Sequence, residues 1–251
     1  MRLMEAKNLD VSFFSGKAER IVHAVNDVSF YLEEGEFLGL VGESGCGKST
    51  IARILSGLIK PDGGQILYDG KEYSYPFSRQ IYKTVQMIFQ MPRDSFDPRR
   101  TIGSCITDIQ VNFGGNRDQA REKTVQYLER TGLGREFVKK YPHQMSGGEC
   151  QRAAIARAIA VQPKILICDE ITSALDVSVQ AQIVELLQEL KEEMGLSVLF
   201  MSHDLALVQG LCDRILVMHD GVIVEEGKSG DVLHNPQNDY TKLLISSVLE
   251  I

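Results

Sequence analysis

The strongest chemical signal in the chain is Gly42-Glu43-Ser44-Gly45-Cys46-Gly47-Lys48-Ser49-Thr50. It matches G-x-x-x-x-G-K-[ST], a loop whose glycines let backbone N–H groups converge on phosphate oxygens. Lys48 is then a point charge between the outer phosphates, and Ser49 a ligand of Mg²⁺. A second signal comes 121 residues after Lys48 (169 − 48). There the apolar run Ile165-Leu166-Ile167-Cys168 ends in two carboxylates, Asp169-Glu170. Asp169 suits the Mg²⁺ shell, and Glu170 suits the polarisation of an attacking water. A third is Ser146-Gly147-Gly148-Glu149, a hydroxyl and two glycines opening a helix. Such a start is another place where N–H groups and the helix dipole favour an anion. Two phosphate-binding helix starts on one chain are most economically explained by a dimer that grips each nucleotide from both sides. The phosphate loop alone leaves kinase, GTPase and motor chemistry open. A kinase does not need Glu170, because its substrate supplies the nucleophile. A GTPase needs N-K-x-D, which the sequence lacks.

These groups need strands and helices to hold them. Phe37–Val41 is apolar apart from Gly39, as expected of a strand buried on both faces just before the loop. After the loop, Ile51, Ile54, Leu55 and Leu58 recur at helical steps and predict one buried face, stopped by Pro61-Asp62-Gly63-Gly64. Glu5–Phe14, Val22–Leu32, Gln65–Tyr68 and Val85–Phe89 read as further strands. Between Met91 and Gln162 the pattern turns helical, with Arg117–Thr131 closed by Gly132 and Gly147–Val161 ended by Pro163. Strand character resumes at Lys164–Cys168. A stripe of Val179, Ile183, Leu187, Leu190 and Met194 then predicts a helix closed by Gly195. Ser197–Met201 reads as a strand, Leu205–Leu211 as a short helix, and Ile215–His219 with Val222–Glu225 as a hairpin around Asp220-Gly221. Strands alternating with helices predict a largely parallel sheet, an α/β core with a helical insertion.

Composition bounds the rest. With 251 residues, 43% hydrophobic and 24% charged, the chain is of ordinary globular type and long enough for a sizeable core. No apolar run approaches the roughly 20 residues a spanning helix needs, and Met1–Asp10 is not a secretory signal. Five cysteines without C-x-x-C spacing suit a reducing compartment and argue against a disulfide framework or a zinc site. A formal charge of −7 weakens a nucleic-acid-binding reading.

Read in order, the phosphate loop, Gln90, Ser146-Gly147-Gly148-Glu149, Asp169-Glu170, Ser173-Ala174-Leu175-Asp176 and His203 resemble the ATP-binding subunits of ABC transporters. The resemblance covers essentially the whole chain. The loop with Cys46, Tyr141–Gly148, Ser173–Gln182 and Asn235-Pro236 through Thr241 look like the oligopeptide/dipeptide/nickel importer group. An end at Ile251 leans toward that group's shorter nickel or metallophore members.

The resemblance implies a P-loop (RecA-like) core with an antiparallel β subdomain and an inserted α-helical subdomain. Residues 1–90 and 164–235 would be the nucleotide-binding core, 91–163 the helical subdomain and 236–251 a short C-terminal tail. It implies ATP and Mg²⁺ as ligands, with Ser49, Gln90 and Asp169 around the metal. Lys48, Gln90, Glu170 and His203 would act in hydrolysis, and His203 would reach the γ-phosphate. Phe13 would stack on adenine, with Phe14 beside it as the alternative. Ser146, Gly147 and Gly148 would bind the γ-phosphate of ATP held by an opposing ATPase subunit, and Asp176 would link the two sites. The family's usual glutamine is replaced by Glu149, a carboxylate that is mildly unfavourable near phosphate unless it points away. Implied partners are a second, related ATPase chain in a heterodimer, two membrane permease subunits and, indirectly, an extracytoplasmic substrate-binding protein, with no nucleic acid. The protein would then sit on the cytoplasmic face of the membrane and power import of a metal, a metal–metallophore complex or short peptides. A soluble ATPase of translation or DNA repair is the competing class. It usually carries two ATPase domains or a long coiled coil, and neither is present here. Cys168 reads as a small buried strand residue and Cys46 as a thiol open to modifying reagents.

Overall fold

The computed structural model of the protein describes residues 1–15 and 20–249. Two long strands, β1 (Arg2–Ser15) and β2 (Arg20–Glu33), precede β3 (Phe37–Val41) and α1 (Lys48–Leu55). Next come β4 (Gly63–Tyr68), β5 (Lys71–Glu72), α2 (Arg79–Thr84) and β6 (Val85–Ile88). A helical stretch holds α3 (Ile102–Asn112), α4 (Arg117–Arg130) and α5 (Gly147–Ile159). The chain then runs through β7 (Ile165–Asp169), α6 (Val177–Met194), β8 (Ser197–Ser202) and α7 (Leu205–Leu211). It closes with β9 (Arg214–His219), β10 (Val222–Lys228), α8 (Ser229–His234) and α9 (Asp239–Leu249).

The strands form two sheets. One is antiparallel, in the order β2-β1-β4-β5. The other runs β10-β9-β3-β8-β7-β6, with every pair parallel except the β10–β9 edge. In the parallel sheet, β3, β7 and β8 are buried along their whole length, which is why their sequences are continuous apolar runs. Alternate side chains enter different cores. Leu38, Leu40, Ile165, Ile167, Leu199 and Met201 meet α1 and the antiparallel sheet. Phe37, Val41, Leu166, Cys168, Val198 and Phe200 meet the helices on the other side. Phe200 is among the largest fully buried side chains. Phe200→Ala is expected to cost about 3–5 kcal/mol through lost burial and the cavity left behind. A urea titration of the wild type and the variant checks this, and a loss under about 1 kcal/mol would contradict the packing.

Three features depart from the sequence pattern. Leu58 does not extend the buried face of α1; it is 51% exposed. The helix stops at Leu55 because Gly57 takes φ +73° and the N–H of Leu58 returns to the carbonyl of Arg53. Helix α3 has no forecast in the sequence. Its run IGSCITDIQVN is rich in β-branched and polar residues of modest helix propensity. It forms because Thr101 caps it and Gly103 lets it approach Val138, where a Cβ would lie 2.4 Å from a methyl carbon. A third feature, without a forecast in the sequence, is that the C-terminal segment forms a helix, α9, which buries Leu244 and Thr241. Residues 250–251 of that segment lie outside the described residues. Among the described residues, no helix is long and apolar enough to cross a membrane.

Candidate functional site

Parallel strands all deliver their C-terminal ends to the same edge of the sheet, so the loops leaving them share one rim. Strand β3 ends at Val41 and feeds the loop Gly42–Thr50, whose last residues begin α1. Adjacent strands supply the rest: β6 leads to Gln90, β7 ends in Asp169 and opens on Glu170, and β8 leads to His203.

The loop is wound tightly around its own lysine. Lys48 is buried, and its Nζ donates to the carbonyls of Gly42 (2.7 Å) and Glu43 (2.9 Å). The same ammonium lies 3.5 Å from Glu170 Oε1. Glu170 Oε2 accepts a hydrogen bond from Gln90 Nε2 at 3.1 Å and is 3.9 Å from His203 Nδ1. Gln90 also donates to Ser173 Oγ at 3.4 Å. Glu170 sits at φ +48°, a conformation that costs a non-glycine residue energy and recurs where function demands it. Its N–H bonds to the carbonyl of Met201, which fixes the turn leaving β7. One carboxylate therefore gathers the lysine, the glutamine and the histidine that the sequence places 122, 80 and 33 positions away (170 − 48, 170 − 90, 203 − 170).

Ser49 Oγ donates to Asp169 Oδ1 at 2.9 Å. Burial pushes the Asp169 carboxyl above its ordinary range, and the Ser49 hydroxyl works against that push. A cleft over the loop is lined by Gly45, Gly47–Thr50, Glu170 and Ala24 of β2. Ala24 has no signal in the sequence, yet its carbonyl closes one wall of the loop. Phe13 is not part of that lining. It pairs with Val22 in the β1–β2 hairpin and is 44% exposed, while its neighbour Phe14 is more exposed still. Cys46 departs from its expected openness to reagents. It is buried, and desolvation raises its thiol pKa despite the nearby Lys48, so little thiolate forms.

The second anion-type site is separate from the first. Ser146 caps α5 by accepting the N–H of Glu149 at 3.2 Å, and Glu149 Oε2 accepts the N–H of Ser146 at 2.7 Å. Glu149 thus turns back into a capping box rather than away from the helix start. The Ser146 backbone N–H holds its carboxyl below the usual range, with Lys140 adding a smaller effect. Asp176 caps α6, accepting from Val179 N–H and Ser178 Oγ, which lowers its pKa. Ser146, Gly147, Gly148 and Asp176 line one surface cleft together with Leu175 and Val179. At Gly148 a Cβ would stand 2.8 Å from Val179 Cγ1, so a larger residue there would force Val179 to shift. Within this single chain no residue of this cleft lines the cleft over the phosphate loop.

The family described as ABC transporter matches residues 25–173. The oligopeptide transport ATP-binding protein OppF of Escherichia coli (strain K12) is 47% identical over 234 residues, covering 91% of this chain and 70% of that one. The glutathione import ATP-binding protein GsiA of Pectobacterium atrosepticum is 44% identical over 98% of this chain, which spans 41% of that longer protein. Among solved structures, the dimeric post-hydrolysis ATP-binding cassette MJ0796, bound to ADP and Pi, superposes with a TM-score of 0.81 at 30% identity, covering 90% of this chain and 98% of that one.

Proposed function

The chain belongs to the ABC transporter family as an ATP-hydrolysing subunit that powers solute import with membrane permease partners, and from that premise we propose that it drives uptake of short peptides as one half of an ATPase pair on the cytoplasmic face of the membrane. The observation that carries the hydrolytic part of this reading is the convergence of Lys48, Gln90, His203 and Ser173 on the Asp169–Glu170 strand end. ATP phosphates enter the loop 42–50, where Lys48 leaves its backbone carbonyls and Glu170 for the phosphate oxygens. Glu170 then accepts a proton from the attacking water, held in line by Gln90 and His203.

The donor set fits Mg²⁺. Ser49 Oγ, the Asp169 carboxylate and the Gln90 amide oxygen are hard oxygen ligands, and Ser49 and Asp169 already lie in contact. When bound, Mg²⁺ neutralises charge that builds on the phosphates. These residues would hold it, and the protein's own groups supply the proton transfer.

The opposing surface is the cleft of Ser146, Gly147, Gly148 and Asp176. Its separation from the phosphate loop within one chain supports a pairing in which each cleft serves the other subunit's nucleotide. We take the second subunit to be a related chain, and residues 91–163 to carry the face toward the permease, as the resemblance to this importer group implies. We divide the chain into a core of 1–90 with 164–235, a helical part of 91–163 and a C-terminal part of 236–251; the parallel sheet drawn from both core segments and the helices between them support this.

Relatives named for oligopeptide and glutathione import support peptides over nickel or a metallophore as cargo. They also weigh against a role in translation or DNA repair. The test is uptake in the native host, comparing wild type with a Lys48→Ala strain. Labelled tripeptide accumulation is expected to fall at least tenfold while radioactive nickel uptake stays unchanged. Loss of nickel uptake with normal tripeptide uptake would overturn the cargo.

A further inference from the structure

The phosphate loop is held from behind by a residue 197 positions away. Tyr240, in the first turn of α9, accepts a hydrogen bond at its Oη from the N–H of Glu43 at 3.2 Å. Its ring stacks on His219 at the end of β9, with centroids 3.8 Å apart and planes at 26°. The turn after β9 touches the loop as well: the N–H of Gly221 donates to the carbonyl of Cys46 at 3.0 Å. Helix α9 is itself pinned to β10. Glu225 accepts the N–H groups of Gln237 and Asn238 at 2.8 and 3.1 Å, and Asn238 Oδ1 accepts the N–H of Tyr240 at 2.9 Å.

The peptide group involved is the one that matters for the lysine. The N–H of Glu43 and the carbonyl of Gly42 belong to the same planar unit. Its N–H end is tied to Tyr240, and its carbonyl end accepts Lys48 Nζ at 2.7 Å. Turning this plane would move the point where the ammonium rests. Neither Glu43 nor Tyr240 lines the cleft over the loop.

We propose that Tyr240 is a positioning residue for ATP, bracing the Gly42–Glu43 peptide from outside so that the loop and Lys48 are preorganised for the phosphates. The inference rests on the loop 42–50 being the nucleotide site. It makes α9 part of the ATP-binding apparatus, so that displacing this helix loosens nucleotide binding.

The test uses the full chain with ATP itself as the probe. Tyr240→Phe keeps the ring on His219 and removes only the acceptor. Its ATP dissociation constant by calorimetry is expected to rise about 3- to 10-fold, the worth of one hydrogen bond. Tyr240→Ala loses the stack too and is expected to bind more weakly still. In the assembled transporter, KM for ATP rises with kcat unchanged, and the loop amides of residues 42–47 exchange hydrogen faster in Tyr240→Phe. Tyr240→Phe still unfolds in a single cooperative urea transition close to that of the wild type, which separates positioning from loss of fold. Equal ATP affinity in Tyr240→Phe and wild type overturns the brace, as does a fall in kcat at constant KM. A wild-type chain that binds no ATP overturns the reading of the site, and this inference with it.

Discussion

Glu170→Gln is expected to bind ATP with at least wild-type affinity and to hydrolyse it about 10²–10⁴-fold more slowly, the usual contribution of a general base. That range corresponds to about 2.7–5.5 kcal/mol of barrier. Glutamine has the shape of glutamate, so Oε1 can still face Lys48 and the strand end keeps its path. The carboxylate's ability to take a proton is gone. Binding is spared for a further reason. In the resting site the Glu170 carboxylate is an ionic partner of Lys48, 3.5 Å away, and incoming phosphates must compete with it. Removing its charge removes the competitor. Single-turnover hydrolysis in the assembled transporter, alongside equilibrium ATP binding, separates the two effects. A variant that turns over within tenfold of wild type would exclude Glu170 as the base.

Gly47→Ala should abolish nucleotide binding and destabilise the fold by on the order of 2–4 kcal/mol, because two penalties coincide there. Gly47 has φ +115°, a conformation that strains any residue with a Cβ. The added carbon would also stand 2.2 Å from the carbonyl oxygen of Ala24 and 2.6 Å from Met218 Cε. A methionine tip can move. A carbonyl in β2 cannot shift without disturbing the sheet, so the loop must shift instead. Gly45→Ala is the matched control. It has φ +87°, but nothing lies within 4 Å of a Cβ there. Its cost is confined to backbone strain of about 1–3 kcal/mol. ATP titration and urea denaturation of both variants give the comparison. Equal behaviour would mean that the approach of Ala24 has no influence on the loop.

Much of the chemistry was legible in the chain because it sits on consecutive residues. A phosphate loop needs its glycines, lysine and hydroxyl within one turn and one helix start, so Gly42–Thr50 can be read as a string. The same holds for Asp169-Glu170 at the end of an apolar strand and for Ser146 capping α5 ahead of Gly147 and Gly148. Gln90 and His203 are different. Each is a lone polar residue after a strand, and only the resemblance to a family gave them roles. Strand positions were also legible, since β3, β7 and β8 are buried on both faces and must be apolar throughout. Helix α3 escaped because its residues have weak intrinsic preference, and its packing on Val138 compensates for that.

The amino-acid sequence by itself determined the local elements, the phosphate-binding strings and the kind of catalysis they serve, because those depend on neighbours within a few positions. It could not say that Ala24 walls the loop, that Gly148 faces Val179 of α6, or that Tyr240 ties the peptide holding Lys48. Hydrophobic periodicity tells which face of an element is covered, not what covers it. The order β10-β9-β3-β8-β7-β6 and the docking of α9 decide which distant residues meet. Tertiary structure alone made those choices, because the hydrogen bonds and close approaches involved span up to 197 positions and leave no local pattern.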